Sequence, residues 1–231
     1  MRKVIYIVLD GIGGLPVGEF GGKTSLEAAD TINMDLLAKK GIQGFIYPVG
    51  EGIAPESDIA VISLLGYDAG KVYTGRGPIE SYAEGLDVVS GNLALRVNFA
   101  TAKAGSSKII DRRAGGNITT QEAEELACEI NQKVKLDNGE FIFKNTVGHR
   151  GVLVIKSSGN LSGRITNTDP AYDRKGVFGI AKGTFEPYIC EAKPMFGYEN
   201  DERAVLAARL INEFTVKSRN ILEESTVNKK R

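Results

Sequence analysis

Val4 to Leu9 is a continuous apolar run, largely β-branched, closed by Asp10 and Gly11. Hydrophobicity without alternation over this length predicts a strand buried on both faces, the usual opening strand of a parallel α/β sheet. A glycine-rich loop follows as far as Gly22. From Thr24 to Lys40 the apolar positions Leu26, Ala29, Leu36 and Leu37 recur at helical spacing, with Gly41 placed as the cap. Ile42 to Val49 reads as a second strand. The loop Gly50-Glu51-Gly52-Ile53-Ala54-Pro55 then leads into Ser57 to Leu65, a short helix ended by Gly66. Strand, helix, strand, helix is the pattern of a doubly wound sheet.

The pattern changes after about Tyr73. Leu93 to Thr101 and Ser107 to Asp111 alternate like strands, and Thr119 to Val134 is an amphipathic helix opened by a threonine cap. Phe141 to Lys156 holds two further strand-like runs. These segments predict a smaller α/β domain inserted after the first core elements. Asp201 to Glu224 is a long helix with Ala204, Leu206, Leu210, Phe214 and Leu222 on or near one face, placed to lead back into the core.

Charge narrows the function classes. The 231 residues carry 29 Lys plus Arg and 29 Asp plus Glu, a net charge of zero, so no chain-wide field favours nucleic acid or an anionic membrane. The two cysteines, Cys128 and Cys190, make no disulfide framework and read as buried or unreactive thiols. Met1-Arg2-Lys3 precedes an apolar stretch interrupted at Asp10, too short for a signal peptide or membrane span, and the expected location is the cytoplasm. Two nucleotide-loop patterns fail on spacing. A dinucleotide fingerprint starting at Gly11 needs glycine at position 16 and meets Pro16; a P-loop ending at Gly22-Lys23-Thr24 needs glycine at position 17 and meets Val17.

Three features can carry chemistry. Asp10 ends the first predicted strand, where α/β sheets bind ligands, and its carboxylate is a hard ligand for a divalent cation; alone, a strand-end Asp more often caps a turn. Ser57 begins a helix after a glycine- and proline-bearing loop. On the physics of the sequence alone, an ordinary N-cap serine is the favoured explanation of that position. A nucleophilic serine needs a base or a metal, and the one histidine, His149, lies far along the inserted region, so metal activation fits better than a Ser-His-Asp set. Third, Arg76, Arg112, Arg113 and Arg150 lie in glycine-punctuated loops. Guanidinium groups grip phosphate and carboxylate through paired hydrogen bonds; any single one is more often a surface charge, but several in such loops favour an anion pocket.

Val8-Leu9-Asp10-Gly11, Gly22-Lys23-Thr24-Ser25-Leu26-Glu27-Ala28-Ala29, Asn33-Met34-Asp35-Leu36-Leu37-Ala38, Ser57-Asp58-Ile59-Ala60, Leu65-Gly66-Tyr67-Asp68 and Tyr73-Thr74-Gly75-Arg76-Gly77-Pro78 occur in that order. Arg96-Val97-Asn98-Phe99-Ala100-Thr101, Asp111-Arg112-Arg113-Ala114-Gly115, His149-Arg150-Gly151-Val152-Leu153-Val154 and Thr168-Asp169-Pro170 continue the series. Together they resemble the archaeal cofactor-independent phosphoglycerate mutases of the alkaline phosphatase superfamily, over nearly the whole chain. The resemblance implies an α/β fold: the N-terminal part of a doubly wound, alkaline-phosphatase-like core over 1–75, an inserted lid and substrate domain over 76–190, and a linker and helix returning to the core over 191–231.

It also implies a reaction. Two divalent ions, Mn²⁺, Mg²⁺ or Zn²⁺, serve the complete enzyme, with Asp10 and Ser57 as ligands. Ser57 takes the phosphoryl group of 3-phosphoglycerate as phosphoserine and returns it to give 2-phosphoglycerate. Arg76, Arg112, Arg113, His149 and Arg150 hold the substrate, and Asp111 is a proton shuttle. Closing the lid keeps water from the phosphoserine. Three positions depart from the family pattern: Glu56 stands where glycine is expected, Ile59 where threonine is expected, and Ile32 where proline is expected. The family's remaining metal ligands come from a further half of a longer chain, so the site here is partial. A missing C-terminal half, or another chain, is then needed to complete the core. Two rivals remain, another phosphotransferase of the superfamily and a non-catalytic module that binds phosphoglycerate or a partner.

Overall fold

The computed structural model of the chain describes residues 3–53, 55–175 and 178–231; Met1, Arg2, Ala54, Gly176 and Val177 lie outside them. It divides into two compact units, Met1–Ala69 and Gly70–Arg231.

In the first unit, α1 (Ser25–Ala28) opens with a capping box. The Thr24 Oγ1 accepts from the Glu27 amide at 3.2 Å, and Glu27 Oε2 accepts from the Thr24 amide at 2.8 Å. The single helix expected over 24–40 is broken. Ala29 adopts extended backbone with ψ 152°, and a second helix, α2 (Ile32–Lys40), restarts after Thr31. Gly41 caps α2 as expected, its amide reaching Leu37 O at 2.8 Å. The third helix, α3 (Ser57–Leu64), is followed by Gly66 at φ 90°.

The two strands predicted for this unit are not formed among the described residues. Neither Val4–Leu9 nor Ile42–Val49 enters a ladder. Their side chains are open to water: Val4 is 89% exposed, Ile7 70%, Ile42 104% and Phe45 84%. A parallel strand is held by neighbours on both edges and helices on both faces. The residues of this unit supply no such neighbours, so the apolar pattern finds nothing to bury against.

The second unit forms strands and helices within the segments expected over 93–156 and 201–224, and adds short elements that the pattern did not mark. It contains α4 (Ala69–Val72, beginning at the boundary), α5 (Arg76–Ala83), β1 (Leu93–Asn98), β2 (Thr101–Ala102), β3 (Ile109–Asp111), α6 (Thr120–Lys133), β4 (Glu140–Asn145) and β5 (Arg150–Lys156). The short strands β6 (Tyr172–Lys175) and β7 (Phe178–Ala181), then α7 (Glu202–Glu224) and α8 (Thr226–Lys230), complete it. The main sheet runs β1-β5-β4 and is antiparallel throughout, with Leu93 opposite Ile155 and Asn98 opposite Arg150. β2 pairs with β3 and β6 with β7.

The period-two rule sorts the sheet's two faces. Leu93, Phe143, Leu153 and Ile155 join Leu126 and Ile130 of α6 and Leu210 and Phe214 of α7 in one core. Phe141 and Phe143 meet the Phe214 ring edge-on at 5.0 and 6.2 Å. The helix expected to return to the first core thus has its buried face in the second unit's own core. On the opposite face α5 lies so close that a Cβ on Gly77 would stand 2.1 Å from the Ala94 carbonyl oxygen, which is why glycine is needed there. Cys128 and Cys190 are free thiols, and both are exposed, so of the two expected readings burial does not hold. Among the described residues no helix is long and apolar enough to cross a membrane.

Candidate functional site

Each unit holds a group of polar side chains. In the first, Glu56 is the N-cap of α3 but its side chain makes no cap hydrogen bond, and Ser57 is the first helical residue. The Ser57 hydroxyl is therefore not spent on capping. It donates to Asp10 Oδ2 at 2.6 Å, across 47 positions of sequence. Both residues are exposed. Ile59, one of the departures from the family pattern, is buried at 4% exposure, so an apolar residue is well suited to the inner side of this helix.

Asp10 and Ser57 present two converging oxygens. A divalent ion takes about four to six ligands, and among the described residues no group of three or more His, Cys, Asp or Glu side chains stands together. These residues do not make a metal site by themselves.

In the second unit the sheet gathers charge at one end. Arg96 and Asn98 alternate with Leu95 and Val97 on β1, which turns them to the face covered by α5. Arg150 at the start of β5 lies directly opposite Asn98, and His149 precedes it with its carbonyl accepting from the Phe99 amide at 2.7 Å. Arg76 opens α5 and donates to Glu80 Oε1 at 2.7 Å; Arg96 shares that oxygen at 3.0 Å. A second Arg96 nitrogen reaches Asn98 Oδ1 at 3.3 Å, and its buried Nε has no hydrogen-bond partner among the described residues.

Electrostatics tie these residues to the β3 end. Burial is the main cause lowering the His149 pKa, and the positive charges of Arg150, Arg96 and Arg113 add to it against an opposing Asp111. Burial likewise lowers the Arg96 pKa; Glu80 opposes, while Arg76 and Arg150 push it further down. Arg150, Arg96 and Arg113 thus bring positive charge to His149, with Asp111 opposing them. An anion would relieve that repulsion. Asp111 is itself fixed, its Oδ1 accepting from the Arg113 amide at 2.6 Å.

Arg112 is placed differently. Its Nε donates to Asp169 Oδ1 at 2.8 Å and its Nη2 to Asp169 Oδ2, so a carboxylate already fills its fork. The guanidinium also lies 5.2 Å from the Tyr172 ring centroid and 5.9 Å from that of Phe185. Of the sequence candidates, the fold brings Arg113, His149, Arg150 and Asp111 together, sets Arg76 near them through Glu80 and Arg96, and ties Arg112 to Asp169. Sequence reasoning missed Arg96 and Glu80. The signal was present for Arg96: a charged residue alternating with apolar ones in a strand whose other face is core.

The family model for 2,3-bisphosphoglycerate-independent phosphoglycerate mutase matches residues 38–228. Proteins named as that mutase from Aeropyrum pernix and Methanopyrus kandleri are 45% and 41% identical over 98% and 100% of this chain. A solved cofactor-independent phosphoglycerate mutase from Thermoplasma acidophilum aligns with 97% of the chain at TM-score 0.54 and 35% identity. A Pyrococcus horikoshii structure aligns with 97% of it at TM-score 0.60 and 26% identity. The chain spans 52% and 51% of the first two relatives and 54% and 45% of the two structures, about half their length. Matched over most of its residues in both sequence and fold, the chain belongs to the 2,3-bisphosphoglycerate-independent phosphoglycerate mutase family.

Proposed function

We propose that this chain supplies the phosphoryl-accepting serine and the anion-holding arginines of an enzyme that interconverts 3-phosphoglycerate and 2-phosphoglycerate. The observation that carries the reading is the Ser57–Asp10 hydrogen bond at 2.6 Å, made by a serine whose hydroxyl is free of capping duty. Asp10 orients that hydroxyl toward an incoming phosphorus. Ser57 Oγ attacks, the bond to the donor oxygen of the glycerate breaks, and the phosphoserine later returns the group to the neighbouring hydroxyl. Arg113, Arg150 and His149 hold the carboxylate and phosphate of the glycerate, with Arg96 and Arg76 completing the positive field. Asp111, beside them, moves a proton to or from the glycerate hydroxyls. Arg112 fixes the loop through Asp169 rather than touching substrate.

The metal ions of the full reaction need ligands beyond Asp10 and Ser57. Those ligands, and partners for Val4–Leu9 and Ile42–Val49, come from polypeptide corresponding to the other half of the relatives. The test is an enolase-coupled assay with 3-phosphoglycerate and Mn²⁺, run on the chain alone and together with that second half. Turnover that requires the second half and vanishes in Ser57→Ala supports the reading; turnover that survives Ser57→Ala overturns it.

Phosphoglycerate binding without turnover is a second reading, favoured by the absence of any three-ligand group among the described residues. Calorimetric titration with 3-phosphoglycerate separates the two, because this reading requires heat of binding with no product under either condition.

A further inference from the structure

The loop after Arg113 holds three consecutive residues in left-handed backbone: Ala114 at φ 50°, Gly115 at 73° and Gly116 at 69°. For alanine that conformation is costly and persists only where surroundings enforce it. Ala114 is buried, and its carbonyl accepts from Arg231 Nη2 at 3.3 Å. The same nitrogen donates to Asn117 Oδ1 at 2.7 Å, and Arg231 Nη1 donates to Glu122 Oε2 at 2.7 Å. That carboxylate oxygen also accepts from the Thr119 amide at 2.9 Å, closing the N-terminal cap of α6. One residue on, Thr120 Oγ1 accepts from the amide of Gly148, the neighbour of His149, at 3.2 Å. The guanidinium is delivered by α8, which is anchored where Ser225 Oγ donates to Glu129 Oε1 at 2.6 Å and Val227 packs on the core.

We infer that Arg231 is a positioning residue for the anion site: it locks the Asp111–Asn117 loop to the cap of α6, and so holds Arg113 and His149 in register. This deepens the proposed phosphoglycerate binding and rests on it. Three acceptors in different directions suit a planar guanidinium with five donors, whereas a lysine ammonium cannot span them.

The experiment compares the full chain with Arg231→Ala, Arg231→Lys and, as a control on the same helix, Lys230→Ala. Two quantities are read: the pKa of His149, the one histidine, followed by NMR of its imidazole, and the calorimetric affinity for 3-phosphoglycerate. With the loop carrying Asp111 and Arg113 released, Arg231→Ala shifts the His149 pKa and weakens binding about ten-fold. Arg231→Lys recovers little of either, and Lys230→Ala changes neither. A folded Arg231→Ala protein with unchanged pKa and affinity overturns the inference, as does an equal effect from Lys230→Ala. Should Arg231→Ala fail to fold, Asn117→Ala removes one of the three acceptors and must shift both readouts in the same direction; no shift overturns the inference. If the wild-type chain alone shows no binding, the binding-without-turnover reading fails, while the His149 titration still decides the role of Arg231.

Discussion

A serine at the start of a helix is ordinarily a cap, and at Ser57 the geometry separates the two roles: Glu56 holds the cap position and Ser57 is left to Asp10. In an assay with the completed enzyme, Ser57→Ala is therefore expected to lower kcat by at least about a thousand-fold while binding of 3-phosphoglycerate stays near wild type. His149 gives a prediction with a sign. Its pKa is lowered in the folded chain, so in the window just below the ordinary histidine value the unfolded chain holds the extra proton. Stability from this group is full above that window and is lost as pH falls through it. Urea midpoints should drop on acidification across this range, and less so in His149→Gln. A bound anion acts oppositely. Inorganic phosphate should raise the His149 pKa. An unmoved imidazole resonance in saturating phosphate would show that the arginine cluster is not an anion site.

The elements of the second unit follow their sequence periods closely. The helix expected over 119–134 is α6 at Thr120–Lys133, and the one expected over 201–224 is α7 at Glu202–Glu224. Both carry a clear apolar stripe and an N-terminal cap residue, and both find a sheet face or helix to cover. Leu210 lies fully buried where α7 meets the sheet, and Leu210→Ala should cost about 2–5 kcal/mol in chemical denaturation. Gly77→Ala is a sharper probe. Its Cβ would meet the Ala94 backbone, so α5 must shift from β1, with an expected loss of about 1–3 kcal/mol. Because Arg76 and Glu80 ride on α5, the same substitution should weaken phosphoglycerate binding. In the first unit the periods were equally visible, yet Val4–Leu9 and Ile42–Val49 form no ladder. Pattern states what a segment can bury; whether it does depends on a partner being present.

At the scale of the whole molecule, apolar side chains from Val4 to Tyr47 are exposed, and the chain spans about half the length of its relatives. Exposed apolar segments recruit other chains. The chain alone is expected to bind a hydrophobic dye and to self-associate, and both should diminish when the second half is supplied; a dye-silent monomer would count against partners for these segments. The sequence by itself determined the family, through ordered motifs from Asp10 to Thr168, and it marked Asp10, Ser57, Asp111, Arg113, His149 and Arg150 as chemistry-bearing. It could do so because these are local signals: a residue type in a short, recognisable setting. Only tertiary structure decided which charges meet. Arg112 and Arg113 are adjacent in sequence, but a turn sends one to Asp169 and leaves the other within electrostatic reach of His149. Arg96 gained its role from the register that sets β1 against β5, and Arg231 from a helix that brings residue 231 back to residues 114–122. Contacts of that kind depend on the path of the backbone between distant segments, which no local pattern of residues encodes.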